Sequence, residues 1–574
     1  MTSTPQRPVN LLVMCLLSLA IGTIGGLGAW LFRLLIGVLH NLFFLGEWSL
    51  SYDANAHTAA NPWGAGIILV PVIGALMVAW LVKTFAPEAK GHGVPEVIDA
   101  IHYKRGIIRP IVAVIKSLAS AICIGSGGSV GREGPIIQIG SAFGATLGEI
   151  INVPARQQVT LVAAGAAAGI AATFNAPLGG VVFAIELLLI SINVRTLLPV
   201  ALATITATYI GRALLGVYPA FNIEPLQVNQ FELNSPGMLL LLIPFGVVMG
   251  LASVAFIKGI YWTEDQFEKM PGGDLVRHAS GMLVAGILFY IMWRSTGRYY
   301  LEGIGYASIM DVLTRELTNP AFLLLLCVLK LFVTFLTLGS GGSGGVFSPA
   351  LFMGATLGSA FAHFANQMLP GVEIDPVTFA LAGMAAGVGA STGAMITAAV
   401  MLQEMTDDNN VMMPIIVTTI VACTVRKLLC PASIYTLKLL RRGRIVPEGL
   451  QAALDDARHV EDVMEKNYQI VAEHAAIGPY AGVTIQAHEG QVVRVFHPFG
   501  TGEIQSSASP DKGETFVRLG PKTPLVEAMR EMQQAEASCA VVFSHADSDR
   551  VDDIAGVITW RELGVYLTRW SELL

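Results

Sequence analysis

Charged residues are scarce in this sequence. Only 13% of its 574 residues are Asp, Glu, Lys or Arg, and the mean hydropathy is +0.61. Soluble globular proteins carry roughly 25% charged residues, so the composition excludes that class and predicts a polytopic membrane protein. Residues 1–440 hold 22 basic and 22 acidic side chains, which leaves 13 basic and 20 acidic for residues 441–574. The net charge of −7 therefore lies in the C-terminal part, which is interpreted as a separate soluble domain.

The sequence also lacks cysteine motifs. Its six cysteines have neither CxxC nor metal-ligand spacing, and five of them lie in apolar segments, so they are interpreted as core residues. They indicate no metal, no cofactor and no redox chemistry. A cleaved signal peptide is not indicated either, because the first apolar run extends from Leu11 past Leu45 without a small-residue cleavage site. This run is predicted to be the first membrane helix.

Long uninterrupted membrane spans are few. Many of the apolar stretches are broken by Gly or Pro, or are shorter than the ~20 residues that cross a bilayer. Broken helices buried in protein are typical of transport sites. The stretches are 11–45, 64–85, 107–125, 136–152, 157–190, 197–215, 237–262, 279–296, 321–339, 348–368, 377–404 and 412–430.

One acid lies inside this apolar region in an unusual setting. Glu133 belongs to the loop GSGGSVGREGP (125–135), whose glycines allow sharp turns with exposed amides. Pro135 is then expected to start a helix. A helix N-terminus that follows such a loop is an anion site, and an intramembrane acid is functional by default. The alternative is a structural acid that is paired with Arg132.

An internal repeat organises residues 1–440. Residues 163–187 match 381–405 without a gap at an offset of 218, and GGSVGREGP (127–135) matches GGSGGVFSP (341–349) at an offset of 214. The halves, about 64–215 and 237–440, are predicted to form an inverted repeat with two helix N-termini meeting near the membrane midplane. A third glycine loop, GHGVP (91–95), precedes another helix. Three such N-termini would bind a small anion without a lysine.

These loops resemble the signature loops GSGIP, GREGP and GIFAP of the CLC chloride channels and chloride/proton exchangers, over residues 10–440. The resemblance implies an all-α polytopic fold of tilted and broken helices, a homodimer with one pore in each subunit, and transport of chloride across the inner (cytoplasmic) membrane. It also implies that Glu133 is the gate and that Lys116 matches the basic residue before it. The residues implied to bind the anion are His92, Gly93, Val94, Arg132, Gly134, Val346, Phe347 and Tyr435.

Two positions depart from the family pattern. His92 replaces the serine of GSGIP, which leaves the choice of anion open, with fluoride as one alternative. A protonated imidazole here would add positive charge to the anion site. Leu187 follows the acid of the FxxE motif, where the best-known exchangers have a proton-transferring glutamate. The main prediction is therefore a voltage- or pH-gated chloride channel, and the alternative is a chloride/proton antiporter.

A different functional class has one weak signal. GGSVG and GGSGG both satisfy GxSxG, so an intramembrane serine hydrolase that uses Ser129 or Ser343 with His92 is a remote alternative. No strand precedes either serine and no matched acid is evident, so no enzyme is predicted. Glu186 and Glu404 occupy equivalent positions of the repeat, and we interpret both as structural helix caps.

The C-terminal part, 441–574, is predicted to be a small cytoplasmic α+β domain. Arg441, Arg442 and Arg444 place it on the cytoplasmic side by the positive-inside rule. Residues 518–571 resemble a CBS module with the order strand, helix, strand, strand, helix, and HVEDVMEK (459–466) resembles the start of a second one. The aspartate expected to contact a ribose is Glu562, so adenine nucleotide binding is only weakly indicated. The expected role is to stabilise the dimer or to regulate transport, and no nucleic-acid partner is indicated.

Overall fold

The computed structural model describes residues 8–217, 220–221, 236–369, 374–406, 408, 410–444, 446, 459–473, 482–496, 516–535, 537–544, 550–560 and 562–563. The chain divides into two compact units, Met1–Leu450 and Gln451–Leu574. The predicted boundary at residue 440 falls shortly before this division.

The described part of the first unit contains seventeen α-helices. Eight of its helical segments are long and apolar enough to cross a membrane, and the others are shorter, as the broken apolar pattern indicates. The α-helices of the first half are α1 Leu11–His40, α2 Val70–Phe85, α3 Val94–Tyr103, α4 Ile111–Gly125, α5 Glu133–Ile151, α6 Ala155–Phe174, α7 Pro177–Leu187 and α8 Val194–Leu215.

The second half repeats this order of long and short helices. They are α9 Pro236–Lys269, α10 Gly273–Thr296, α11 Tyr306–Leu313, α12 Pro320–Gly339, α13 Phe347–Met368, α14 Pro376–Thr392, α15 Met395–Thr406, α16 Met412–Leu429 and α17 Ile434–Arg441. A π-helical turn, Asn41–Leu45, extends α1, and a 3-10 helix, Gly64–Leu69, leads into α2.

Two apolar stretches that were predicted as continuous helices are each broken into two. The stretch 157–190 breaks between α6 and α7, where Asn175 has a φ of +60° and Pro177 begins the next helix. The stretch 377–404 breaks at Gly393, with a φ of +81°. A left-handed residue cannot continue a right-handed helix, so each break leaves a new helix start inside the protein.

Contacts between glycines confirm the internal repeat in three dimensions. A Cβ on Gly140 of α5 would collide with the carbonyl of Gly165 of α6, and a Cβ on Gly354 of α13 would collide with that of Gly383 of α14. Small residues at such crossings let the helix backbones approach closely, which is how helices associate without a hydrophobic driving force in lipid. The two repeat-related crossings therefore have the same physical basis.

The short helices that follow these crossings cap each other. The carboxylate of Glu186 on α7 accepts hydrogen bonds from the amides of Ile396 and Thr397 at the start of α15, at 3.1 and 2.8 Å. Glu404 on α15 accepts bonds from the amides of Leu178 and Gly179 at the start of α7, at 3.1 and 2.7 Å. The interpretation of both acids as helix caps is confirmed, because each satisfies amides that a helix start leaves without partners.

The C-terminal unit contains two three-stranded sheets of the same topology. In the first, β1 Tyr468–Ala472 pairs in parallel with β2 Val483–His488, which pairs antiparallel with β3 Gln491–Phe496. In the second, β4 Phe516–Leu519 pairs in parallel with β5 Cys539–Phe543, which pairs antiparallel with β6 Ile554–Thr559. Helix α18, Leu525–Gln534, connects β4 to β5, so the small α+β domain is confirmed.

Glu562 has a local role in this domain. Its carboxylate accepts a hydrogen bond from the amide of Thr559 at 2.8 Å and another from the Thr559 hydroxyl. It therefore caps the segment after β6. The predicted helix that continues to residue 571 lies outside the described residues.

The division of the chain gives the first prediction. Truncation after Leu450 should leave a protein that folds and transports, because Arg444, which bonds the buried Asp99 of α3, and Val446, which packs on the membrane core, are both retained. Anion flux from proteoliposomes measures the outcome, with the full chain as the reference. A monodisperse, thermally stable truncation without flux would contradict the prediction and show that the C-terminal unit takes part in transport.

Candidate functional site

The three glycine loops that the sequence singled out are joined directly to one another by backbone hydrogen bonds. The amide of Gly91 donates to the carbonyl of Gly342 at 3.0 Å. Gly131 and Gly345 exchange two such bonds, at 2.8 and 2.6 Å. Buried backbone groups in a membrane protein need partners inside the protein, and these loops supply them to each other. The starts of α3, α5 and α13 are thereby fixed around one place.

The loops can come this close to one another because glycine has no side chain. A Cβ on Gly134 would collide with the carbonyl of His92 and lie 3.1 Å from the Cα of Gly345. Gly93, with a φ of +83°, is the residue before α3, and a Cβ there would lie 3.0 Å from the carbonyl oxygen of Gly134. Of the other predicted anion ligands, Val94 begins α3, Val346 precedes α13 and Phe347 begins it.

Glu133 is the first residue of α5, two positions before the expected start at Pro135, and its side chain is fully buried. Its Oε1 accepts hydrogen bonds from the hydroxyls of Tyr306, at 2.8 Å, and Ser348, at 2.6 Å. Its Oε2 is buried without a hydrogen-bond partner and occupies the space where a Cβ on Gly131 would be. The carboxylate is therefore held by two hydroxyls and the positive end of a helix.

No ion pair joins Glu133 to Arg132 within the described residues, so the alternative of a salt-bridged structural acid is not supported. The Arg132 guanidinium instead lies over the ring of Tyr306, at 5.4 Å from its centroid. A cation over an aromatic face is attracted by the ring quadrupole. Arg132 thus stabilises the tyrosine that donates a hydrogen bond to Glu133.

Arg132 also lines a cavity of about 170 Å³ beside Glu133. The charged residues around this arginine-lined cavity are Arg33, Arg132, Arg212 and Asp53. Three positive charges and one negative charge leave a net charge of +2, and no salt bridge pairs any of the three arginines within the described residues. The positive potential of such a cleft concentrates anions. The cavity also reaches Tyr306, whose hydroxyl donates a hydrogen bond to Glu133.

His92 is buried between two tyrosines. Its Nε2 lies 3.4 Å from the hydroxyl of Tyr261, and its ring centroid lies 5.9 Å from that of Tyr435. Its Nδ1 is buried without a partner. Ammonium groups flank this loop, because Lys438 Nζ lies 3.0 Å from a Cβ built on Gly91 and Lys116 Cε lies 3.3 Å from one built on Gly93. A positive charge on His92 would be the third at this loop, after those of Lys116 and Lys438.

Lys116 is buried and is hydrogen bonded to the glycine loop at residues 91–95. Its ammonium donates to the carbonyls of Ala89 and Gly91, at 3.0 and 2.6 Å. Lys330, at the same place in the second half, donates to the carbonyls of Leu301 and Gly303, at 3.0 and 2.9 Å. Each lysine satisfies carbonyls that a tight loop leaves without partners, so the role of Lys116 is to position the loop.

The remaining predicted residues are Leu187 and the two serines of the glycine loops. Leu187 is the last residue of α7 and is half-buried against the core. Ser129 Oγ is hydrogen bonded to Thr334 at 3.1 Å, and Ser343 Oγ donates to the carbonyl of Ala89 at 2.8 Å. Neither serine is hydrogen bonded to His92 within the described residues, so the geometry of a serine hydrolase is not present there.

Sequence reasoning missed three residues of the site: Tyr306, Ser348 and Lys330. A signal for each was available. Lys330 lies 214 positions after Lys116, which is the offset of the glycine loops. The segment GIGYA (303–307) corresponds to GHGVP at an offset of 212, but its proline is replaced by Ala307. This fourth glycine loop precedes α11, and Tyr306 is the first residue of that helix.

Comparisons with known proteins agree with this geometry. The family model for the voltage gated chloride channel matches residues 74–427. The H(+)/Cl(-) exchange transporter ClcA of Vibrio parahaemolyticus is 31% identical over 445 residues, which cover 77% of this chain and 91% of that protein.

Two solved structures have the same fold. A slow cyanobacterial Cl-/H+ antiporter superposes with a TM-score of 0.64 at 23% identity and covers 76% of this chain and 99% of its own. A CLC-type fluoride/proton antiporter superposes with a TM-score of 0.60 at 21% identity and covers 74% and 98%.

Ser348 gives the second prediction. Ser348→Ala removes one of the two hydroxyl donors to Glu133 and restores the alanine of the GIFAP signature. Hydrogen bonds to charged groups contribute about 1.5–3 kcal/mol, so the carboxylate should leave its position more readily. We expect anion turnover in proteoliposomes to rise roughly three- to tenfold, since the released bond is worth at least that factor.

The matched control is Ser359→Ala, which removes a buried hydroxyl about three turns further along the same helix. It should leave turnover unchanged. Equal rates for Ser348→Ala and the unmodified protein would show that the hydroxyl does not hold the gate.

His92 gives the third prediction. Because Lys116 and Lys438 lie beside its loop, we now expect the neutral imidazole to act as an N–H donor to an anion, instead of the protonated form considered from the sequence. His92→Gln, which keeps a donor, should retain chloride affinity, whereas His92→Leu should weaken it roughly tenfold, the cost of about 1.4 kcal/mol. Calorimetric chloride titrations measure both. Equal affinities of the two variants would limit His92 to a packing role.

Proposed function

The chain belongs to the CLC, or voltage gated chloride channel, family, and from this premise we propose that it exchanges chloride for protons across the membrane. Anion transport of the CLC type follows from the family itself. Exchange is favoured over the passive channel predicted from the sequence, because the ClcA relative is named an H(+)/Cl(-) exchange transporter and both superposed structures are named antiporters.

The single observation that carries the proposal is the setting of the Glu133 carboxylate. It lies at a helix start that suits an anion, and it is fully buried with one oxygen unpartnered and no bond to a basic side chain among the described residues. A buried carboxylate without a cationic partner is costly when charged. Two events therefore relieve this cost. A proton can neutralise the Glu133 carboxylate, or a chloride can replace it at the free amides of the helix start.

The charged Glu133 carboxylate and a chloride ion cannot occupy the start of α5 at the same time. This competition is what couples chloride movement to proton movement. While Glu133 is charged and in place, it fills the anion position at the start of α5. Once it is protonated, the attraction of the helix start for it falls, and a chloride binds there instead. The net result is one charge at the site in either state. Movement of anions in one direction is thus linked to movement of protons in the other.

The charge distribution supports an orientation. On α3 and α17, Asp99 bonds Lys104 and Arg444, and Glu96 bonds Arg442. The excess of basic residues at this end indicates the cytoplasmic side. Helix α1 begins at this end, where Val9 bonds Gln157 near the start of α6. Helices α1 and α6 then run to the opposite end, so the arginine-lined cavity, to which both contribute, faces the outside.

The proposal extends to assembly and location. We infer a homodimer with one pathway in each subunit, in the inner membrane, with the C-terminal unit in the cytoplasm after the basic residues of α17. The order of β4, α18, β5 and β6 is the one expected of a CBS module, and we infer a regulatory role for this unit. Chloride is the substrate in this proposal, and fluoride competition in the flux assay distinguishes the halide actually preferred.

Passive chloride conduction is the second candidate, and Leu187 is the observation that favours it. A leucine cannot bind a proton, and Glu186 beside it is fully engaged by the amides of Ile396 and Thr397 and the Thr397 hydroxyl. Protons on the cytoplasmic side then have to reach Glu133 through water. Unsolvated charge in an apolar region is expensive, so an exchanger of this design needs hydrated access from inside.

The fourth prediction separates the two candidates. In proteoliposomes with equal chloride on both sides, a pH gradient should drive chloride uphill in the unmodified protein. Glu133→Gln, which is permanently neutral, should abolish this proton-driven movement while chloride still permeates. A reversal potential that follows chloride alone in the unmodified protein would establish passive conduction and end the exchange proposal.

A further inference from the structure

A second cavity adjoins the arginine-lined one and shares Asp53, Ala54 and Tyr306 with it. Its volume is about 240 Å³, and it is bounded by the end of α1, the following loop at residues 51–59 and the segment 299–308. It contains no arginine or lysine in its lining. Its titratable lining residues, apart from tyrosines, are His40, Asp53, His57 and Glu302. We call it the acidic cavity.

Glu302 is the central acid of this cavity. Its Oε1 accepts a hydrogen bond from the hydroxyl of Thr58 and lies 3.7 Å from Nε2 of His40. Its Oε2 is buried without a hydrogen-bond partner, although the residue as a whole is only 9% exposed. His40 Nε2 is also 3.0 Å from the Thr58 hydroxyl. An acid, a histidine and a hydroxyl are thus in mutual contact at the cavity wall.

Tyr306 connects this cavity to the gate. It follows Glu302 by four residues, lines both cavities, and donates its hydroxyl hydrogen to Glu133 at 2.8 Å. A polar cavity of this size has room for several waters, because a bound water needs roughly 10–15 Å³ of such space. The acidic cavity therefore contains a proton acceptor, Glu302, and space for water. It also reaches Tyr306, which donates a hydrogen bond to Glu133.

We propose that the acidic cavity is the outer proton-loading site of the exchanger, with Glu302 as the proton acceptor and Tyr306 as the link to Glu133. The inference rests on the proposed exchange function and adds to it a route for protons that is separate from the anion route. Anions gather in the arginine-lined cavity, whose net charge is +2, and protons gather in the acidic one. The positive potential of the arginine-lined cavity attracts chloride, and the negative side chains of the acidic cavity attract protons.

The transfer is balanced in protons. Glu302, protonated from the external solution, releases its proton to cavity water. The Tyr306 oxygen accepts a proton from that water while its own hydroxyl proton passes to Oε1 of Glu133. Glu302 ends as a carboxylate, Glu133 ends as a neutral acid, and Tyr306 and the water are unchanged. Hydrogen-bond distances of 2.6–3.2 Å suit such a step, and the Tyr306–Glu133 distance of 2.8 Å lies within them.

Other charged groups face Glu302 and set the conditions for its titration. Its own backbone carbonyl lies 3.5 Å from the ammonium of Lys330. At the far end of the cavity, His57 is bonded to Asp311 at 2.7 Å, and Asp311 is also bonded to Arg298 at 2.8 Å. That acid is therefore already paired. The remaining titratable neighbours are His40, Tyr52, Asp53, Tyr299 and Tyr306.

The fifth prediction tests this route in right-side-out membrane vesicles, where the external pH is set independently. At an external pH of about 8, unperturbed Glu and His are both deprotonated, so proton capture from outside limits exchange. Glu302→Gln should then lower proton-coupled chloride flux by roughly a hundredfold, the lower end of the range for loss of an acid–base group. At low external pH direct protonation of Glu133 should restore most of the flux.

Two further variants define the pathway. Glu47→Gln removes an exposed acid from the loop that follows α1 and serves as the matched control, with flux expected to be unchanged. Tyr306→Phe keeps the ring and loses the hydroxyl. If Glu302 and Tyr306 act in series, the double variant should be no slower at alkaline external pH than the slower single variant. Independent losses that multiply would contradict a shared route.

The outcomes separate this inference from the proposed function. An unmodified protein without proton-driven chloride transport removes the exchange function itself. Proton-driven transport in the unmodified protein, together with an external-pH dependence that Glu302→Gln does not change, overturns only the acidic-cavity route. Folding of Glu302→Gln is judged by thermal unfolding and calorimetric chloride binding. If this variant does not fold, the pair Glu302→Asp and Glu302→Asn provides the test. The aspartate variant keeps an acid and should keep the flux, whereas the asparagine variant should lose it.

Discussion

The structure depends on hydrogen bonds between loops that have no side chains at their points of contact. The pairs Gly91–Gly342 and Gly131–Gly345 join segments from opposite halves of the repeat, and each bond satisfies a backbone group that lipid could not. Lys116 and Lys330 satisfy the carbonyls that remain on the neighbouring loops. This frame fixes several helix starts close to one another, and the amides of a helix start are suited to binding an anion.

The frame is symmetric, but the chemistry that it carries is not. At the offset of 214, Glu133 corresponds to Phe347 and Arg132 to Val346, so only one of the two equivalent helix starts has an acid. At the offset of 212, Glu302 corresponds to Lys90. An inverted repeat places such pairs toward opposite sides of the membrane. In the proposed orientation, the same backbone presents an acid near the outer side and a base near the inner side.

Much of this could be predicted from the sequence, because glycine loops followed by prolines and a constant repeat offset are local patterns with one structural meaning. The three loops, the broken helices and the buried acid were found in this way. Tyr306 and Ser348 were not, since a hydroxyl becomes a gate contact only through packing between α5, α11 and α13. The fourth loop, 303–307, has no proline, so its pattern was visible only as a member of the repeat. The break at Asn175 was likewise hidden, because an asparagine in the left-handed region looks like any polar residue in a helix.

The positions of the titratable groups imply that protons reach Glu133 differently from the two sides. On the outer side, the acidic cavity offers Glu302 and His40 beside Tyr306. On the inner side, Glu186 is held by the start of α15 and Leu187 cannot titrate, so a proton leaving inward has to pass to water at the moment when the pathway is hydrated. We expect hydration from inside to admit chloride as well. In the proposed exchange cycle, proton release inward and chloride passage therefore share one conformation, and coupling is enforced at Glu133 instead of by a second acid.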